Sequence, residues 1–360
     1  MIATVRRLAK RLLAHGLVDT GCWDLVLRAW ARQGTPVVLT YHRVLEKWEP
    51  TLDYSQPGMV VTVPTFERQL AFLARHFEIV PLGALADGPA PPAGRRPRCV
   101  ITFDDGWRDN YELAYPILRK QGVPATIFLT TDFIGTERAF WHTDLIHLLL
   151  FGDLSRFVGG ERALAGYPSV VRETIRRCVG AGRAARAADT DEVVETVKAR
   201  CGESRINDLI DTLARAAGLH RPLLPGRRFF LDWDQVREMA AGGVEIGSHG
   251  CSHKILTRLP TQDATQELVK SKAEIESQLD RPITHFAFPN DDANPALVAL
   301  VARTGYRTAC VGAAGDVGVT AGIRTLRRAG MHEGVGTGDG GHDDALLGLA
   351  LLRAPRSRAA

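Results

Sequence analysis

CVITFDDG, residues 99–106, is the stretch on which the reading of the whole chain turns. Val100, Ile101 and Phe103 form an apolar run without alternation, the pattern of a strand buried on both faces in a helix-covered parallel sheet. The run ends in Asp104 and Asp105, just before Gly106, a residue that lets the chain turn sharply. Carboxylates at the carboxyl end of such a strand sit where α/β folds place their chemistry. Two adjacent aspartates repel each other, so a site that holds them close also holds a cation or shares a proton between them. One is then available to bind metal and the other to take a proton from water. A structural reading, in which the acidic loop caps a helix starting near Asn110, competes with this one.

Working outward, the same strand and helix rhythm recurs. Upstream, residues 37–41 (VVLTY) read as a first buried strand running into His42 and Arg43, followed by a long loop over 46–61. Pro64 opens a helix whose packing face is Phe66, Leu70, Phe72, Leu73 and Phe77, and 77–81 is a short strand. Downstream, a helix over 110–121 closes at Gly122 and a strand follows over 124–129, a parallel βαβ step. The rhythm breaks over 136–228, where helical segments such as 191–200 and 204–217 replace strands. This is read as a helical insertion that either shapes access to the site or packs as a module of its own.

Regular order resumes with a helix over 234–241, a strand over 244–248, a helix over 265–279, a strand over 284–288, a helix over 294–304 and a last strand over 306–311. Residues 334–341 read as flexible, and 343–352 as a helix whose apolar strip needs a partner. The fold class is α/β. The expected organisation is an amino-terminal helical extension (1–34), a main domain (35–335) containing the insertion, and a linker with a terminal helix (336–360).

Composition narrows the function classes. The chain has 360 residues, 45% of them apolar, enough for a substantial core. Lys and Arg number 45 against 41 Asp and Glu, a net charge of +4 without aromatics interleaved among basic residues, which argues against nucleic acid. Six scattered cysteines with no CxxC pair suit a reducing compartment. No stretch reaches the roughly 18 apolar residues of a membrane span, and no apolar signal core leads the chain, so a cytoplasmic location is expected. In residues 1–13, Ile2, Val5, Leu8, Ala9, Leu12 and Leu13 share one helical face, and Arg6, Arg7, Lys10 and Arg11 the other. Such an amphipathic helix lies peripherally on the anionic inner face of a membrane, or docks on this protein's own core or a second subunit.

At the exit of the 244–248 strand, SHGCSH (248–253) carries His249 and His253 four residues apart. On one helical face, or across a turn at Gly250, two imidazoles at this spacing converge. With Asp105 they make a two-histidine, one-carboxylate set that binds a divalent cation and keeps positions open. Zn²⁺ leads the candidates, followed by Co²⁺, Ni²⁺ and Mn²⁺. A Cys251 thiolate ligand would make a closed structural site instead, but residues two apart at a strand exit point apart. Asp104 then stands beside the metal as general base. The backbone N–H of Asn290, after Pro289 at another strand exit, is a candidate oxyanion donor. His332 and His42 compete to protonate the leaving nitrogen, with His332 ahead.

Together, TFDDG (102–106), SHGCSH (248–253) and FAFP (286–289) resemble the successive motifs of the polysaccharide deacetylases, the NodB-homology or carbohydrate esterase family 4 group. YHRV (41–44) and TFERQLAFL (65–73) resemble the opening of a branch associated with bacterial exopolysaccharide or cell-surface glycan biosynthesis. The resemblance spans roughly residues 35–330. It implies a distorted (β/α)7 barrel, a divalent metal, usually zinc, and hydrolysis of N-acetyl groups from N-acetylhexosamine units. It places the base on Asp104, the metal ligands on Asp105, His249 and His253, and the oxyanion N–H on Asn290.

Three departures stand out. The base-orienting arginine of the third motif is Ala287 here, with Arg108, Arg327 and Arg328 as candidate replacements. The tyrosine usual after the proline is Asn290, and the final leucine and histidine motif is not clean around Met331 and His332. The expected function is removal of N-acyl groups from an amino sugar in a polysaccharide or lipid-linked glycan intermediate. The alternatives are hydrolysis of a non-sugar amide or O-ester, and a catalytically inactive carbohydrate-binding or assembly role.

Overall fold

The computed structural model describes residues 11–16, 20, 22–49, 54–86, 94, 96–154, 164–180, 183–312, 322–338 and 341–355. In chain order its strands are β1 (Val37–Tyr41), β2 (Arg43–Leu45), β3 (Val60–Thr62), β4 (Glu78–Ile79), β5 (Arg98–Phe103) and β6 (Thr126–Leu129). They continue as β7 (Glu245–Ser248), β8 (His285–Ala287), β9 (Thr308–Val311), β10 (Arg324–Gly330), β11 (Thr337–Gly338) and β12 (Gly341–His342). Parallel pairing runs β1, β5, β6, β7, β8, β9, β10 and returns from β10 to β1, closing a seven-stranded barrel surrounded by helices. The barrel is distorted at β5. There β4 pairs with Arg98 and Cys99 while β6 pairs with Thr102 and Phe103, and β1 runs along Cys99 to Phe103. The expected fold class, a distorted (β/α)7 barrel of the NodB type, is what the structure shows.

Inward side chains alternate along the strands, and Val38, Val100, Phe128, Ala287, Cys310 and Leu326 fill the interior. Leu82 and Leu85, on a single 3₁₀ turn (Leu82–Leu85), join that cluster at the amino-terminal end. The Gly83 N–H donates to the Glu245 carboxylate at 3.1 and 3.2 Å, and Arg324 Nη1 donates to the Leu85 carbonyl at 2.7 Å, so this end is plugged. Gly247 is required by close approach: a Cβ there would lie 2.5 Å from the Phe128 ring and 2.9 Å from the His285 carbonyl oxygen.

One element corrects the sequence reading. The strand over 306–311 is not the last of the barrel; β10 follows it and supplies the closing pairing with β1. Burial alternates along β10, with Arg324, Leu326 and Arg328 inside and Thr325, Arg327 and Ala329 less covered. Two of the three inward residues are arginines, so the strand carries no apolar alternation for a sequence pattern to detect.

The chain divides into two compact units, one comprising 1–46, 61–135 and 230–360, the other 47–60 and 136–229. The second unit is built from helices Trp141–Phe151, Ser169–Gly180, Arg183–Arg200 and Glu203–Ala216. Stripes such as Ile206, Leu209, Ile210 and Leu213 are buried at helical spacing. Residues 47–60, read from sequence as part of a loop, belong to this unit. Tyr54 packs on His147 and Phe151 with ring centroids 5.3 and 5.4 Å away, and Gln56 Nε2 donates to Asp191 and Glu195.

In the first unit, the terminal helix (Asp344–Leu352) finds the partner its apolar strip requires. Ala14 packs on Ala345, Leu346 and Leu349, and a Cβ on Gly348 would meet the Trp23 ring at 2.9 Å. Asp343 caps the helix by accepting from the Ala345 and Leu346 N–H groups, and it pairs with His15 at 3.0 Å. Part of the 334–341 segment expected as flexible is an antiparallel pair, with Thr337 opposite His342 and Gly338 opposite Gly341. Ile2, Val5, Arg6, Arg7, Leu8, Ala9 and Lys10 lie outside the described residues, as do most of 87–95. Among the described residues no helix is long and apolar enough to cross a membrane.

Candidate functional site

Each site residue stands at the carboxyl end of a barrel strand. His42 follows β1, Asp104 and Asp105 follow β5, His249 follows β7, Asn290 and Asp291 follow β8, and Arg328 lies near the end of β10. Hydrogen bonds that extend the ladders set these exits: the Asp104 N–H donates to the Tyr41 carbonyl at 3.0 Å and the His249 N–H to that of Leu129 at 2.8 Å. At Gly106 the backbone is left-handed (φ +78°), and a Cβ would press on Ile134 and Leu129 at 3.0 Å, so glycine is dictated by both conformation and space. Asp105, His253, Asn290 and Asp291 are also left-handed, with φ of 75, 59, 59 and 56°. They are four of the six non-glycine residues so strained among the described residues, which concentrates backbone strain at this rim.

Asp105 is fully buried. Its Oδ2 accepts from the Trp107 indole N–H at 2.7 Å, whereas Oδ1 has no hydrogen-bond donor. Facing Oδ1 are His253 Nε2 at 3.2 Å and His249 Nε2 at 3.5 Å, and one ligand atom from each of the three residues lies within 4.8 Å of the others. His249 Nδ1 is 2.8 Å from the Ala287 carbonyl oxygen, which can only accept. The proton is therefore on Nδ1, and burial lowers the pKa of this imidazole, so its Nε2 presents a lone pair. Acceptor thus faces acceptor between His249 and Asp105, an arrangement that a cation satisfies. Burial alone would raise the Asp105 carboxyl, but His253, then His42 and His249, hold it far below the usual carboxylate range. The three residues fit a divalent ion with a carboxylate oxygen and two imidazole nitrogens.

Two further groups hold this set. Glu267, on the helix Thr261–Leu279, accepts through Oε2 from the Cys251 and Ser252 N–H groups at 2.7 and 2.9 Å, fixing the loop between the two histidines. Behind Trp107, the Arg43 guanidinium lies 4.7 Å over the indole ring and its Nε donates to Asp109 at 2.9 Å. Cys251 is not in the cluster. Its Sγ is 3.5 Å from the Glu267 carbonyl, and burial pushes the thiol up to about 11.

Asp104 sits beside the cluster and meets Arg328 in a bidentate pair, Nη1 to Oδ1 and Nη2 to Oδ2, both at 2.6 Å. Arg328 Nη2 also donates to Asp291 Oδ1 at 2.7 Å, tying the β8 exit to Asp104. Burial would raise the Asp104 carboxyl, but Arg328, then His249 and His42, bring it below its ordinary value; the Asp104 and Asp291 carboxylates in turn keep the buried Arg328 charged. Of the three arginines proposed to replace the one absent at Ala287, Arg328 is the one in contact. Arg108 pairs with Glu112 at 2.6 Å, and Arg327 lies on the less covered side of β10.

The two histidines offered as proton donors are placed differently. His42 Nε2 is 3.9 Å from Asp104 Oδ2, and its backbone carbonyl accepts from Asn110 Nδ2 at 2.8 Å. His332 Nδ1 accepts from the Gly334 N–H at 3.1 Å, and burial lowers its pKa. Asn290 is exposed, at the turn between Pro289 and Asp291. Asp291 and Glu267 escaped the sequence reading, because a carboxylate's partner on another strand or helix leaves no local pattern.

Comparison with known proteins agrees with this geometry. The family model described as polysaccharide deacetylase matches residues 92–309, more than half of the chain. The Bacillus subtilis protein YxkH is 59% identical over 39 residues, 11% of this chain and 14% of that protein. The poly-β-1,6-N-acetyl-D-glucosamine N-deacetylase of Staphylococcus epidermidis is 26% identical over 164 residues, 37% of this chain and 56% of that protein. Neither match reaches two thirds of the relative's length. Among solved structures, the Streptococcus pyogenes deacetylase PplD in complex with acetate superposes with a TM-score of 0.52 at 16% identity, covering 89% of this chain and 98% of that one. A polysaccharide deacetylase from Bacillus cereus superposes with a TM-score of 0.53 at 14% identity, covering 88% and 69%. These two likenesses establish a shared fold, and with the family match over residues 92–309 they lead to one conclusion: this chain belongs to the polysaccharide deacetylase family.

Proposed function

We propose that this chain is a metal-dependent hydrolase that removes N-acyl groups, acetyl first among them, from an amino sugar carried on a polysaccharide or a lipid-linked glycan. The observation that carries the reading is the pairing of two unlike carboxylates. Asp105 faces the Nε2 atoms of two imidazoles, while Asp104, one residue earlier in the chain, is gripped by Arg328 and left outside that cluster. Asp105, His249 and His253 would hold the ion. When bound, a divalent cation, Zn²⁺ ahead of Co²⁺, Ni²⁺ or Mn²⁺, supplies Lewis acidity toward a carbonyl oxygen and acidifies water.

Asp104 acts as the general base. Arg328 keeps it ionised and fixes both of its oxygens, so it is poised to accept a proton from the attacking water. The Asn290 N–H donates to the developing oxyanion. His42 protonates the leaving nitrogen, in preference to His332, because its Nε2 lies beside the base. The amino-sugar substrate is supported by the Staphylococcus epidermidis relative, whose own name specifies N-acetylglucosamine deacetylation, over 37% of this chain.

Release of acetate from N-acetylglucosamine oligomers, with matched O-acetyl and non-sugar amide substrates alongside, tests the reading. Asp104→Asn is expected to retain metal and lose about 10²- to 10⁴-fold in turnover, whereas His249→Ala loses metal and activity together. Release confined to esters or non-sugar amides would replace the substrate assignment. Full metal loading with no release from any of them would favour a binding role.

A further inference from the structure

The helical segment 11–16 carries exposed leucines on the side away from its packing contact. Leu12, Leu13 and Leu25 are 67, 51 and 64% exposed; among the described residues the other large exposed hydrophobics are Val170 and Val269, far away in sequence. The helical segment 11–16 docks through Ala14 on Ala345, Leu346 and Leu349, and through Arg11 and His15 on Asp343. At about 100° per residue, Leu13 and Leu12 stand roughly 100 and 200° round the helix from Ala14. Leu12 and Leu13, the two members of the sequence-assigned apolar stripe that are described, are therefore not on the side that packs on the terminal helix. Leu25, on the next helix (Cys22–Gln33), has exposed Arg28 and Arg32 at helical spacing.

Charge singles out one occupant for this face. Residues 1–33 hold six Lys and Arg against two Asp, an excess of four, which equals the formal charge of the whole chain; the other 327 residues balance. Solvated surface helices have no need of outward leucines, and a self-associating surface gains nothing from so much like charge. We infer that the exposed Leu12, Leu13 and Leu25, with the basic residues that flank them in sequence, bind an anionic lipid surface, leucines in the acyl boundary and basic groups among the headgroups. This holds independently of the reaction proposed above, and it suits a substrate attached to lipid.

Co-sedimentation of the full chain with phosphatidylglycerol-containing and pure phosphatidylcholine vesicles tests it. The chain is expected to pellet with the anionic vesicles and to be released by salt. Leu12→Glu with Leu13→Glu is expected to weaken partitioning about a hundredfold and Leu25→Glu about tenfold. Both changes are at exposed positions, so far-ultraviolet circular dichroism and elution volume should be unchanged. Failure of the wild type to bind anionic vesicles, equal binding to neutral ones, or undiminished binding by the double variant overturns the inference. So does a dimer that the double variant dissolves with no vesicle binding, which would make a second copy the occupant.

Discussion

Arg324 and Arg328 stand four residues apart on the inward side of β10 and end in opposite circumstances. At the plugged end, Arg324 donates to the Leu85 carbonyl, and burial pulls its pKa below the ordinary value. At the open rim, Arg328 meets the carboxylates of Asp104 and Asp291, which push its pKa well above the ordinary value in spite of burial. The residue type and strand are the same, so the difference comes from what the neighbouring strand exits supply. A guanidinium inside a barrel is costly unless acceptors surround it, and in a parallel barrel the charged acceptors gather at the carboxyl ends. One end of β10 therefore contributes to packing and the other to the candidate site.

The largest effect is expected at Arg328. Replacing it with Met leaves two carboxylates without their counter-charge and should cost about 3–5 kcal/mol of stability, measured by denaturant unfolding. Arg328→Lys keeps a charge but not the fork, and should lower kcat/KM by about 10²-fold. The sign of its pH effect follows from the contact. Arg328 lowers the Asp104 pKa, so weakening the pair raises it and moves the acidic limb of kcat/KM to higher pH. In the unmodified protein, the depressed Asp104 contributes stability at neutral pH that is lost as pH falls below the ordinary carboxylate pKa of about 3.9 toward its folded value. An acidic limb unmoved in Arg328→Lys would break the comparison.

A smaller effect is expected one contact outside the ligand cluster. Glu267→Ala should weaken metal binding about 10- to 100-fold in competition with a chromogenic chelator, and Glu267→Gln should recover part of it, since one oxygen still accepts from the loop. The smallest belongs to the plugged end. Arg324→Met exchanges a buried charge for an apolar chain, and kcat/KM, metal affinity and the pH profile should stay within about twofold of the parent, with a near-neutral effect on thermal stability. A loss of turnover there comparable to that of Arg328→Lys would show that the two ends of β10 are not functionally separate.

Much of the site was legible because its signals are local. An apolar run before Asp104 and Asp105 marks a buried strand and its exit, and two histidines four residues apart can converge whatever the loop between them does. The stop in the strand rhythm was the signal behind the expected insertion, whereas the share of residues 47–60 in the second unit has no local signal, since it rests on contacts of Tyr54 with His147 and of Gln56 with Asp191. Sequence put His332 ahead of His42 as the candidate proton donor, and the proposal of His42 rests on a distance that no local pattern carries. The 3.9 Å approach of His42 to Asp104 is a cross-strand fact, as β1 and β5 are neighbours only in the folded barrel.

By itself the sequence determined the strand that carries the carboxylates, the two-histidine segment and the family motifs, each of them written in a short run of consecutive residues. Tertiary structure alone decided that β10 closes the barrel and that Arg328, 224 residues from Asp104, meets that carboxylate. The reason is physical: inward arginines on β10 remove the apolar alternation that identifies a strand, and their charge is tolerated only because barrel closure brings them to acceptors from distant parts of the chain.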